Sequence, residues 1–141
     1  MTRTYVDAGV LIAAATARAP AIYQAALAIL DDRDRQYVCS SFIQLEVTPK
    51  ASCHRQTREV DFYEDFFESV IAWADRLDLV VENALEEASR SGLAALDALY
   101  VAAAKLLGAE ELVTTERPGK PIHRVTGIKV VSIHPSAVRT A

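Results

Sequence analysis

The sequence is short of cysteine, of long apolar runs and of positive charge, and each shortage removes a class of protein. Cys39 and Cys53 lack zinc-ligand spacing and follow no secretory signal, so reduced packing thiols in a cytoplasmic protein are expected, not a disulfide. The early apolar stretch from Val10 to Ala15 is too short to span a bilayer and follows an aspartate where an export signal carries basic residues. Neither a membrane nor an export route is expected. Fifteen Lys and Arg against nineteen Asp and Glu leave a net charge of -4, which excludes holding nucleic acid by bulk positive charge. Any such contact must be local. No low-complexity tract, flexible linker or solenoid-length repeat is present. What remains is a chain of 141 residues, 51% hydrophobic, enough to bury a core as one domain over residues 1–141.

Apolar periodicity alternates along the chain. Thr4-Tyr5-Val6 is a β-prone run ending at Asp7, and Val10 to Ala17 and Ala21 to Leu30 suit helices separated at Pro20. Tyr37-Val38-Cys39 predicts a second strand, and Ser41 with Gln44 fits a capping box opening a helix through Glu46 that Thr48-Pro49 disturbs. Arg58 to Leu77 repeats Phe62, Phe66, Ser69, Val70 and Trp73 at helical steps. Leu79-Val80-Val81 reads as a third strand, Glu82 to Arg90 as a helix stopped by Ser91-Gly92, and Leu93 to Leu107 as another helix. Leu112-Val113-Thr114 and Lys129 to Ile133 are the last strands, parted by a loop with Pro118-Gly119 and Pro121. The alternation predicts an α/β sandwich with a mostly parallel central sheet flanked by helices.

Four acids stand out. Asp97 interrupts the otherwise apolar helix Leu93 to Ala104, where a carboxylate costs stability unless it is paired or binds a cation. Taken alone, it is explained equally by a partner Arg or a backbone cap. Asp7 falls at the carboxyl end of the first strand, where open α/β sheets place ligands, and it is also a favoured helix N-cap. Glu46 lies among Phe42, Ile43, Leu45 and Val47, on a helix whose other face is polar. Glu116 follows Leu112-Val113-Thr114 directly, with the Thr114 and Thr115 hydroxyls beside it. Four acids at strand ends or on adjoining helices would repel one another, and Mg²⁺ or Mn²⁺, which prefer oxygen ligands, would relieve that repulsion.

Tyr5-Val6-Asp7 with Val10-Leu11-Ile12, Ser41 through Leu45-Glu46, Gly92 through Ala98, and Leu112 through Glu116 together resemble a PIN domain, closest to the small bacterial VapC-type toxins. The resemblance runs from Tyr5 to Ile133 and rests on the combination of motifs. It implies a PIN-like three-layer sandwich in which Asp7, Glu46 and Asp97 organise divalent metal, Thr114 and Glu116 match the family's threonine and fourth polar position, and RNA phosphodiester bonds are hydrolysed. It further implies an antitoxin protein as partner and a homodimer. Two departures stand against the pattern: Ala8-Gly9 replaces a hydroxyl residue followed by Asn or Ser, removing a hydrogen bond that steadies the site, and Glu116 replaces the usual Asp.

Arg117, Lys120, His123 and Arg124 form the densest positive stretch and flank Glu116, which suits contact with RNA phosphates as well as it suits a solvated loop. Phe62, Tyr63, Phe66, Phe67 and Trp73 read as core-facing, except that Tyr63 and Phe67 fall off the main stripe and predict an exposed apolar patch. His54 and His134 are isolated and read as surface or capping residues. Two rival readings share these residues: a PIN-like module that binds RNA or protein without efficient cleavage, and a receiver-like phosphoacceptor. The second requires a central acceptor Asp at a strand end, whereas Asp97 falls within a helix pattern.

Overall fold

In the computed structural model, which describes residues 1–138, strands β1 (Thr2–Val6), β2 (Arg35–Cys39), β3 (Ala72–Trp73), β4 (Glu111–Thr114) and β5 (Lys129–Ser132) form one sheet. Their order is β3-β2-β1-β4-β5 and every pairing is parallel. Parallel strands need long crossovers, which here are helical. These are α1 (Ala8–Thr16), α2 (Pro20–Leu30), α3 (Ser41–Cys53), α4 (Thr57–Ser69), α5 (Leu77–Ser91) and α6 (Ala95–Leu106), with a 3₁₀ turn at Pro121–Arg124 and a one-turn α7 (Pro135–Val138). α1 to α4 pack together, α5 packs on α6, and α3 meets α6. This is the expected α/β sandwich.

β1 and β4 at the centre are almost wholly apolar where they face the helices: Tyr5, Val6, Leu112 and Val113 are buried, joined by Leu11, Ile43, Val80 and Val101 from the helices. The strand order reverses direction between β1 and β4, and in open α/β sheets the crevice outside the carboxyl ends at such a point receives ligands. Asp7 follows β1 and Glu116 follows β4 by two residues, so chain order alone brings both to that crevice.

Several local expectations change. Leu79-Val80-Val81 is not a strand but lies within α5, where Val80, Ala84, Glu87 and Ser91 recur at helical spacing on the buried face. The helix expected from Arg58 to Leu77 ends at Ser69; Val70 is extended, and Ala72–Trp73 forms the edge strand β3. Trp73 kept the helical rhythm because it still packs on Phe67, with ring centroids 5.6 Å apart. Tyr63 and Phe67 are buried, so the expected exposed patch on α4 does not exist. The capping box is absent too: Ser40, not Ser41, is the N-cap of α3, and its hydroxyl meets Tyr5 Oη at 2.7 Å. Pro49 stays inside α3 at an exposed position without ending it. Cys39 is buried as expected, but Cys53 is exposed.

Gly92 ends α5 in the left-handed region, which glycine adopts without a Cβ penalty. Among the described residues no single helix is long and apolar enough to cross a membrane; α1 and α2 pass on length and composition only as a pair, bent by 111°.

Candidate functional site

Asp7 is buried, 5% exposed, and its backbone N–H continues the ladder by donating to the Val113 carbonyl at 3.0 Å. One carboxylate oxygen accepts from the Val10 N–H at 3.1 Å, capping α1, and the other accepts from the Thr114 hydroxyl. The capping reading of Asp7 is therefore met. Thr114, the last residue of β4, also accepts from the Glu116 N–H at 3.1 Å, so one hydroxyl fixes both an acid and the turn that carries the next. The Glu116 carbonyl is held from the far side by the Ser132 hydroxyl at 2.6 Å, with His123 Nε2 at 3.2 Å.

Asp97 occupies the first turn of α6, half-buried, where the helix dipole favours negative charge. It is therefore not buried within an apolar helix as expected; Leu96 beside it is exposed and the buried face begins at Ala98. Glu46 lies on α3, half-buried, one step from the core residue Val47.

These acids feel one another. Burial, followed by the charges of Asp97 and Glu116, pushes Asp7 up from 3.8 to about 7 even though the Thr114 and Val10 hydrogen bonds pull it down. Asp97 is raised by burial and by Glu116 and Glu46. The Tyr100 hydroxyl is raised by burial and by Glu46, and it is buried with no hydrogen-bond partner at good geometry. Tyr5 is raised by burial, with Asp7 and Glu46 adding to it. Asp97 thus lies within electrostatic reach of Asp7, Glu46 and Glu116, and none of the four takes part in an ion pair among the described residues.

Carboxylates and a hydroxyl are the donors that hard divalent cations prefer. As the side chains stand, however, no group of three or more Asp, Glu, His or Cys among the described residues could hold an ion. Asp7 gives one physical reason, since both of its oxygens are already turned to donors within the protein. Each oxygen keeps a further lone pair, so the donor set fits a cation chemically.

Gly9 changes meaning in the structure. A Cβ built there would lie 2.3 Å from Thr115 Oγ1 and 3.3 Å from Asp7 Oδ1. The space that a side chain at position 9 would take is filled by the Thr115 hydroxyl, a residue whose role the sequence did not reveal. Among the expected cations, Arg117, Lys120 and Arg124 are exposed and His123 is half-buried. His134 serves as a local cap, its Nδ1 meeting the Ser136 hydroxyl and backbone N–H, and His54 is exposed.

By sequence the chain matches no family model and no curated protein. By structure it is similar to a chain of the VapBC2 complex of Rickettsia felis bound to a DNA fragment from their promoter. That match has a TM-score of 0.68 and 13% identity over 93% of this chain and 98% of that one. It is also similar to a chain of DNA-bound VapBC from Salmonella typhimurium, at 0.68 and 18% over 94% and 99%. A third match is a toxin–antitoxin complex from Klebsiella pneumoniae, at 0.65 and 18% over 93% and 98%. Similarity over nearly the full length of both chains, with the same parallel α/β sandwich, gives this chain the fold of the PIN-domain proteins of the VapC type.

Proposed function

We propose that the chain is a divalent-metal-dependent endoribonuclease and the toxin of a toxin–antitoxin pair. The observation that carries this reading is a group of acids at the switch point of the sheet, none of which forms an ion pair among the described residues. Each of the other buried acids, Glu87 and Glu111, has a basic partner. Asp7, Glu46, Asp97 and Glu116 would hold Mg²⁺ or Mn²⁺, which supplies Lewis acidity and positive charge at the scissile phosphate. Thr114 keeps Asp7 and the Glu116 turn in register. Burial of Asp7 keeps water from diluting the electrostatics of the site. Arg117, Lys120, His123 and Arg124 follow Glu116 along the chain, and in this reading they would meet RNA phosphates.

The structural neighbours are toxin–antitoxin or VapBC complexes, which supports an antitoxin partner for this chain. α5 leaves Leu77, Val81 and Leu85 exposed in one stripe, with Leu96 of α6 also exposed, which supports a homodimer. A cytoplasmic location completes the proposal.

The test is cleavage of single-stranded and structured RNAs with Mg²⁺ or Mn²⁺, comparing wild type with folded Asp7→Asn and Asp97→Asn. Loss of on the order of 10²-fold or more in both variants, and loss on chelation, is the expected result. A second reading, a PIN-like module that binds RNA or protein with little cleavage, is favoured by the acids not being assembled around an ion as they stand. Metal or RNA binding without turnover in wild type would select it.

A further inference from the structure

Four of the five tyrosines are buried, and three of those four have a partner for the hydroxyl. Tyr5 Oη meets the Ser40 hydroxyl at 2.7 Å, Tyr37 donates to the Ile29 carbonyl, and Tyr63 donates to Glu59 Oε2 at 2.7 Å. Tyr100, 2% exposed, is the exception: its hydroxyl is buried and makes no hydrogen bond of good geometry among the described residues. An O–H removed from water and left unmet costs free energy, so a buried hydroxyl of this kind points to an acceptor close by.

The fold decides which acceptor that is. Tyr100 lies one turn after Asp97 on α6, and residues three apart on a helix are neighbours on its surface. Its ring packs near that of Tyr5, the centroids 6.0 Å apart, and the Tyr5 hydroxyl in turn meets Ser40, the N-cap of α3. α3 packs against α6 and carries Glu46. The Glu46 carboxylate is the group that acts most on the Tyr100 hydroxyl after burial itself, through its charge and through a hydrogen bond short of good geometry. Glu46 is the matching acceptor without a donor. Among the described residues it forms no ion pair and accepts no hydrogen bond of good geometry, whereas Asp7 is held by Val10 and Thr114. The last torsion of a glutamate is broad, so turning that carboxylate into line with the hydroxyl costs little.

We infer that Tyr100 is a positioning residue: its hydroxyl donates to the Glu46 carboxylate and holds it turned into the acid group. A carboxylate that accepts one such bond keeps lone pairs for a cation, and a hydrogen-bond partner behind a metal ligand fixes the ligand's direction. The Thr114 hydroxyl stands in the same relation to Asp7. α6 thus supplies an acid at position 97 and, one turn on, the hydroxyl that orients another. The inference rests on the metal-dependent reading and adds to it a residue that acts through Glu46.

Tyr100→Phe keeps the ring beside Tyr5 and removes only the hydroxyl. Tyr37→Phe, which loses the buried bond to the Ile29 carbonyl, is the control for a loss of stability alone. Mn²⁺ binding is measured by titration calorimetry on each folded protein, without RNA. Urea unfolding in chelator is measured for wild type, Tyr100→Phe, Glu46→Ala and the double variant. Tyr100→Phe should bind Mn²⁺ about 10- to 100-fold more weakly than wild type, and Tyr37→Phe should bind it as wild type does. In chelator, Tyr100→Phe should lower the folding equilibrium constant by about tenfold or more, because a hydrogen bond to a charged group is lost. In the Glu46→Ala background it should not lower it.

An unchanged Mn²⁺ affinity in Tyr100→Phe, with wild type binding the ion, overturns the inference and leaves the metal-dependent reading intact. Wild type that binds no Mn²⁺ overturns both. A folding constant lowered equally with and without Glu46 assigns the hydroxyl to another acceptor and overturns the inference alone.

Discussion

Where β2 and β4 begin, Glu111 is 6% exposed, and it accepts from Arg35 Nε at 2.6 Å and from the Thr4 hydroxyl at 2.9 Å, while Arg35 also reaches Asp32 at 2.6 Å. Where β1 and β4 finish, Asp7 is equally buried, yet its neighbours in charge are Asp97 and Glu116, and no base answers it. The first arrangement is a closed network whose charges cancel locally, which serves stability. The second leaves like charges facing one space, which works against folding and is retained at sites that bind or react. Two carboxylates of similar burial on one sheet thus differ in kind, one neutralised within a network and the other left among like charges.

The contrast is broken most directly by removing charge from the acidic end of metal-free protein. A carboxyl raised from 3.8 to about 7 binds a proton more tightly in the folded chain, so its stabilising contribution is complete below pH 3.8 and is lost as pH rises through about 7. At about 1.4 kcal/mol per pH unit, the loss reaches about 4 kcal/mol. Asp7→Asn keeps the shape and drops the charge, so at pH 8 in chelator it should unfold at higher urea than wild type, the gap closing near pH 4. A variant less stable than wild type at pH 8 would show that the caps to Val10 and Thr114 outweigh the desolvation.

At the other end the sign reverses. Glu111→Ala strands Arg35 and Thr4 in a partly buried network, and breaking such a pair costs about 3 kcal/mol. Asp32 still engages Arg35, which limits the loss. Urea midpoints that fall for Glu111→Ala and rise for Asp7→Asn at pH 8 would establish the difference; movement in the same direction would dissolve it.

A cation sharpens the comparison further. If the acids take up Mg²⁺ or Mn²⁺ only when folded, an ion at one hundred times its dissociation constant adds about 2.7 kcal/mol. Thermal unfolding should shift upward with metal in wild type and in Glu111→Ala alike, and should not shift in Asp97→Asn. A shift that survives in Asp97→Asn would move the cation elsewhere.

Much of this difference is legible in the sequence, because strand ends and acids are both local signals. Val6-Asp7 and Thr114 to Glu116 mark where apolar runs stop, and an acid at such a stop is chemically conspicuous. Pairings across the fold are not local and were not legible. Arg35 and Glu111 are ordinary charges until β2 and β4 are set on either side of β1. Thr115 meets Gly9 only because β4 lies beside β1. The two-residue β3 is too short to carry a period, and Leu79-Val80-Val81 mimics a strand because α5 exposes Val81 while burying Val80.

The smallest effect concerns how the Asp7 end is packed. Gly9 lies in the first turn of α1 with ordinary helical backbone, where alanine is favoured over glycine by about 1 kcal/mol. An alanine Cβ would meet Thr115 Oγ1 at 2.3 Å, so Gly9→Ala must turn the Thr115 side chain away, at a cost of about 1 to 3 kcal/mol. The cost equals or exceeds the gain, and Gly9→Ala alone should range from neutral to weaker than wild type by about 2 kcal/mol. Thr115→Ala removes the obstructing hydroxyl, so in that background Gly9→Ala should recover the helical gain and exceed its single-variant effect, a coupling of about 1 to 3 kcal/mol in a double-mutant cycle read by urea unfolding. If Gly9→Ala stabilises wild type by the full helical gain, the Thr115 hydroxyl is free to leave, and the glycine owes its place to something other than room beside Asp7.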